Sequence, residues 1–185
     1  MKINARAKVT LIFSLLALCS TLLGVWLGMG FETKFFSVYR TSAFDPMQYV
    51  RLFSFIFGHA GLGHYLGNFL FILILGPLVE EKFGSGNFLL MILITALVTG
   101  LLSVIFFPDV QLLGASGIVF MLILLSAFTF AGGEGVPLTF ILVVLLYLGR
   151  EVYNAVFVQD QVSQFAHIVG GLCGGMFGYI TKRRG

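Results

Sequence analysis

Ser116 stands between two glycines in the stretch Gly114-Ala115-Ser116-Gly117, and almost nothing polar follows it for several residues. Much later in the chain, His167 opens a second glycine-rich stretch, with Ala166 before it and Gly170, Gly171 and Gly174 after it. A neutral, buried histidine beside a serine can act as a general base. It takes the Oγ proton as the oxygen attacks a carbonyl, then returns that proton to the leaving amine. Serine and base suffice for acyl transfer, because variants of the triad lack the orienting acid. No acid stands near His167 in sequence, so a dyad is expected. The developing oxyanion needs donors, and the candidates are His64, the Asn68 amide and the Ser116 backbone N–H.

These groups can meet only if the elements carrying them bring them together. The chain of 185 residues is 58% hydrophobic and 10% charged, with a mean hydropathy of +1.02. Soluble domains carry roughly 25% charge, so the composition is that of a polytopic membrane protein. Apolar runs follow one another with short breaks, leaving no stretch for a soluble domain, and one all-α membrane domain over residues 1–185 is expected. A membrane helix needs about 20 apolar residues. Six spans are placed at about Val9–Met29, Gly63–Val79, Asn87–Phe107, Leu113–Phe130, Val136–Gly149 and Val162–Ile180. The first follows a basic start and resembles a signal peptide, but it is long enough to span and lacks a clear A-x-A site, so it is read as a retained helix. Cys19 and Cys173, both deep in apolar runs, are read as packing residues rather than a disulfide.

Charge sets the direction. With both termini cytoplasmic, Lys2, Arg6, Lys8, Lys82, Lys182, Arg183 and Arg184 lie inside, against Lys34, Arg40, Arg51 and Arg150 outside, which obeys the positive-inside rule. The net charge of +3 is therefore an orientation signal, and nothing suggests nucleic-acid binding. Spans two, four and six all run from outside to inside. His64 and Asn68 open span two, Ser116 opens span four, and His167 lies roughly 7–8 Å below the start of span six at 1.5 Å per residue. All four fall at similar depth. His64 and Asn68 are spaced i, i+4 and share one helical face, and ionisable residues inside a membrane default to a functional hypothesis.

A lone serine in a membrane helix usually returns its hydroxyl to its own backbone, and a lone histidine can be a core residue bonded to a carbonyl. The glycines shift that balance. Gly114 and Gly117 allow close approach to Ser116, and Gly170, Gly174 and Gly178 form a small-xxx-small stripe that lets two membrane helices touch backbone to backbone. Between spans one and two, Phe31 to Leu62 is apolar but irregular, with Pro46, Gly58 and Gly61. It is expected to bed into the outer leaflet beside the helices, as non-helical backbone there requires.

With these residues placed, the sequence resembles the rhomboid family of intramembrane serine proteases over nearly the whole six-helix chain. The family's GxSG reads as Gly114-Ala115-Ser116-Gly117, its AHxxGxxxG as Ala166-His167 with Gly170 and Gly174, and its HxxxxHxxxN as His59, His64 and Asn68. The resemblance implies a rhomboid-like bundle of six helices, with Ser116 as nucleophile, His167 as base, and His64 with Asn68 in the oxyanion hole. It makes Arg51 and His59 structural in the first loop, and puts Glu80 where a carboxylate often braces the first loop or second helix. It implies cleavage of membrane-anchored proteins near the outer end of a transmembrane helix, with no cofactor and no metal. Two positions depart from the pattern. Val50 replaces the tryptophan of the Trp-Arg motif, and Phe120 replaces a tyrosine that stacks on the histidine, so the ring remains without its hydroxyl.

Three other readings compete. A rhomboid-like pseudoprotease would bind membrane clients without cleaving them, but such proteins typically lose the serine or histidine, and both are here. A metal site from His59, His64 and His167 lacks an H-E-x-x-H pattern. A transporter or proton relay would favour acidic residues within spans or an inverted repeat, and neither is seen. A role in processing C-terminally anchored secreted proteins, as in the rhombosortase branch, stays open. The small size and absence of extra domains suggest a bacterial plasma membrane.

Overall fold

The computed structural model describes residues 7–130 and 161–182, with single positions between 138 and 153. Its described residues form seven α-helices: α1 (Lys8–Leu27), α2 (Met29–Phe36), α3 (Pro46–Ser54), α4 (Leu62–Phe83), α5 (Ser85–Phe106), α6 (Ser116–Phe130) and α7 (Gln161–Lys182), with a 3-10 turn at Phe55–Phe57. By length and composition α1, α4 and α5 are long and apolar enough to cross a membrane. The expected span over 136–149 lies outside the described residues but for single helical positions. Large apolar side chains such as Leu15, Val25, Trp26, Leu66, Leu70 and Ile105 face outward, which is the pattern of a multi-pass membrane domain and not of a soluble one.

At the start of α1 a polar contact from another helix replaces a side-chain cap. Ala7 before α1 offers no cap, yet the Glu80 carboxylate at the far end of α4 takes its place. Its Oε1 accepts from Val9 N–H and its Oε2 from Thr10 N–H, both at 2.9 Å. Thr10 Oγ1 also donates at 2.9 Å and Ser85 Oγ at 2.6 Å. A negative group at a helix N-terminus meets both the orphan N–H groups and the dipole. Glu80 thus ties the starts of α1 and α5 to the end of α4. The chain reverses between α4 and α5 at Gly84, whose φ of 80° favours glycine.

The region between α1 and α4 is more ordered than its composition suggests, because it contains α2, α3 and the 3-10 turn. Asp45 starts α3 as its N-cap, accepting from Met47 N–H at 2.9 Å, with Pro46 in the first turn. Arg51, buried in α3, reaches back to fasten the loop. It donates to Asp45 Oδ2 at 2.6 Å, to Tyr39 Oη at 2.9 Å and to Thr41 Oγ1 at 3.2 Å, and its guanidinium lies 4.4 Å from the Tyr39 ring centre. The Thr41 hydroxyl, then the Met47 N–H and Arg51, hold the Asp45 carboxyl below its ordinary pKa. Of the two cysteines, Cys173 is buried, while Cys19 points outward from α1.

Candidate active site

Helices α6 and α7 approach until their backbones touch. A Cβ on Gly170 would lie 2.1 Å from the Gly117 carbonyl oxygen, and one on Gly174 would lie 2.2 Å from that of Met121. From the other side, a Cβ on Gly117 would meet the Ala166 carbonyl oxygen at 3.3 Å. This contact sets Ser116, the half-buried first residue of α6, next to Gly117, and His167, buried in α7, next to Ala166 and one turn before Gly170. One turn into α6, the Phe120 ring stacks on the His167 imidazole with centroids 4.5 Å apart and planes at 16°. That stack fixes the plane of the imidazole.

The approach to Ser116 is held by main-chain bonds to the first loop. Val38 and Leu112 exchange N–H···O bonds of 2.8 and 3.0 Å as an isolated antiparallel bridge, and Gly114 N–H donates to Phe55 O at 2.9 Å. Gly114 has φ 124°, a conformation that side-chain-bearing residues rarely adopt. Two side chains of α4 lie over it. A Cβ there would meet His64 Cε1 and Nε2 at 3.0 Å and Asn68 Nδ2 at 3.7 Å. Asn68 is buried, and its Nδ2 has no hydrogen-bond partner among the described residues. A donor held open beside the turn into Ser116 is chemically able to receive a new negative oxygen.

His59 lies behind His64. It is buried with Nδ1 3.1 Å from Phe57 O, so Nδ1 carries the proton and Nε2 the lone pair. The His59 ring meets His64 edge-on at 5.0 Å, with Tyr65 and Phe69 at 5.7 and 5.6 Å. Burial, with the neighbouring His64 second, pushes its pKa down to about 3, and His59 is neutral at ordinary pH. Arg51 and Glu80 take no part in this cluster: Arg51 fastens the loop, and Glu80 sits about 24 Å along α4 from His64 at 1.5 Å per residue. Val50 is exposed on α3. Among the described residues no three His, Cys, Asp or Glu side chains group as a metal site would need.

Two polar features have no counterpart in the sequence motifs. Thr99 and Ser103, one turn apart on α5, are buried with hydroxyls that lack partners among the described residues, and Thr99 Oγ1 lies 3.7 Å from where a Gly117 Cβ would stand. Their signal was present as Thr95, Thr99 and Ser103 recurring every four residues. The second is Glu32 of α2, fully buried, an acid within an apolar stretch that matches no motif.

Comparison with known proteins identifies the family. The Rhomboid domain pattern matches residues 46–184. Rhomboid-related protein 1 of Caenorhabditis elegans is 32% identical over 142 residues, covering 71% of this chain and 39% of that protein. Rhomboid-related protein 2 of Mus musculus is 33% identical over 143 residues, covering 71% and 47%, and RHOMBOID-like protein 2 of Arabidopsis thaliana is 32% identical over 143, covering 72% and 43%. The chain spans less than half the length of these curated relatives. With the domain pattern running from α3 to the end of α7, and with relatives at this identity across most of the chain, the protein belongs to the rhomboid family.

Proposed function

We propose that the protein is an intramembrane serine endopeptidase of six spans with both termini cytoplasmic, cutting membrane proteins near the outer end of a transmembrane segment. The observation that carries this reading is the backbone contact of Gly170 on Gly117, which brings the Ser116 and His167 helices as close as a dyad needs. His167 takes the Oγ proton as Ser116 attacks the scissile carbonyl, forming the tetrahedral intermediate. Its oxyanion sits among the Ser116 N–H, the Asn68 amide and His64. Collapse expels the amine, to which His167 returns the proton, leaving an acyl-enzyme. Water then attacks the ester with His167 again as base, and Ser116 leaves with the proton restored. Thr99 beside Gly117 is a polar group available to that water.

A membrane helix hides its carbonyls in hydrogen bonds, so a substrate must unwind before Ser116 can reach one. Helix-destabilising residues after the cut are expected to favour cleavage for that reason. The test uses the purified full chain in liposomes with a reporter transmembrane substrate and a fluorophosphonate label. Wild type cuts the reporter and takes the label at Ser116, and Ser116→Ala and His167→Ala do neither. Unchanged cleavage by Ser116→Ala would end the protease reading. A wild type that holds the reporter uncut identifies a pseudoprotease.

A further inference from the structure

Glu32 is used by no step above, yet it is the most enclosed acid in the first loop. Its relative exposure is 0%. The space it fills exists because Gly24 lacks a side chain; Gly58 lines its other side, where an added Cβ would meet Phe36 O and Cβ before it met Glu32. A Cβ on Gly24 of α1 would lie 2.3 Å from Glu32 Cγ and 2.4 Å from Oε1, and one on Gly58 would lie 3.1 Å from Oε2. Ser20 Oγ of α1 donates to Oε1 at 3.5 Å, a long bond, and Oε2 has no partner of good geometry among the described residues. The His59 peptide N–H lies close enough to the carboxyl to favour its ionised form. The carboxyl is therefore a wedge between α1 and the Gly58-His59 segment. From there the contacts run on: the His59 ring abuts His64, and His64 lies over Gly114.

We infer that Glu32 is a positioning residue for the oxyanion hole: wedged between Gly24 and Gly58, it fixes the His59 backbone and, through the His59–His64 ring contact, the placement of His64. This rests on the protease reading for its catalytic consequence, but the wedge itself is independent of it. Burial favours the carboxyl with its proton on. Among the described residues no charged side chain acts on the carboxyl. Ser20 and Gly24 face it from α1, Gly58 and the neutral His59 face it from the loop, and on its own helix Lys34 lies against Phe35. Desolvation pushes its pKa up to about 7 from 4.5, against the pull of the Ser20 hydroxyl and the His59 N–H. A raised acid stabilises the folded loop fully below 4.5, and that contribution is lost as pH rises through about 7.

The test compares wild type, Glu32→Gln and Glu32→Ala in liposomes by two measurements. Hydrogen exchange reads the loop directly: Glu32→Ala should expose the amides of residues 58–64 while α5 and α7 stay protected, and Glu32→Gln should keep them protected. Cleavage of the reporter reads the consequence. Glu32→Ala should lower kcat between about tenfold and a hundredfold, as small misplacements of catalytic donors do, with KM little changed. The kcat ratio of Glu32→Gln to wild type should be near one at pH about 5.5 and rise several-fold by pH about 8.5, and His167 titration cancels from it. Wild-type exchange and kcat in Glu32→Ala would overturn the inference. If that variant loosens the whole fold, a ratio flat across pH overturns it instead. A wild type that cuts nothing sinks the protease reading alone, and the exchange measurement then decides the wedge.

Discussion

Gly170 and Gly171 are neighbours on α7, but their surroundings predict opposite outcomes for the same substitution. In Gly170→Ala the new Cβ would meet three backbone atoms of Gly117, the carbonyl oxygen at 2.1 Å, its carbon at 2.7 Å and Cα at 2.8 Å. Backbone cannot swing aside, and ordinary contact begins near 3.4 Å, so the helices must part by about 1.3 Å at this point. A misplacement of about 1 Å can lower a rate about a hundredfold, which corresponds to about 2.7 kcal/mol of barrier. The overpacking itself should destabilise the bundle by about 1–3 kcal/mol. In Gly171→Ala the Cβ would find, among the described residues, only Leu124 Cδ2 and Cγ at 3.8 Å, and alanine gains about 1 kcal/mol of helix propensity over glycine. The assay is reporter cleavage in liposomes with fluorophosphonate labelling of Ser116, alongside thermal unfolding of each variant. Gly170→Ala should lose about two decades of kcat while still folded, and Gly171→Ala should match wild type. Equal activity in the two variants would refute the reasoning from backbone contact.

Two further substitutions address parts of the structure with separate duties. Asn68→Ala removes the open amide beside Gly114 and should lower kcat about a hundred- to a thousandfold with the fold intact, the range found for single oxyanion donors; a loss below about threefold would remove Asn68 from the oxyanion hole. Glu80→Ala should behave in reverse, because it leaves the N–H groups of Val9 and Thr10 without their acceptor. It should lower unfolding stability by about 2–4 kcal/mol, while the folded fraction retains normal KM and kcat, as judged by active-site titration.

The residues that resembled the family motifs were legible because each motif is local: Gly114-Ala115-Ser116-Gly117 and Ala166-His167 announce a crowded serine and a base, and periodic glycines announce a tight helix contact. The apolar runs likewise marked α1, α4 and α5. The first loop was harder to read, since its helices are too short for a hydropathy signal. The Asp45-Pro46 pair was the usable cue there, an N-cap followed by a proline in the first turn. Glu32 was not legible at all. Its burial depends on Gly24 and Gly58, which lie on opposite sides of it in sequence and meet only in the fold, and an isolated glutamate in an apolar stretch looks the same whether it is solvated or enclosed. Glu80 carried a family expectation about the first loop or second helix, but its hydrogen bonds to Val9, Thr10 and Ser85 emerged only when α1 and α4 were set side by side.

The pairing of Val38 with Leu112 has a meaning for the order of assembly. It joins segments far apart in the chain, and long loops close late because their ends are slow to find one another. Until α4 and α5 are in place, Leu112 is not brought to Val38, and the turn into Ser116 has no frame. The proposed base comes later still, because His167 belongs to the last described helix. A nascent chain therefore carries its serine into the membrane in an inert setting, among helices that are themselves of the kind it is proposed to cut. On the proposed dyad, reactivity arrives only when the helix carrying His167 docks, which would protect the protein from itself while it is being made.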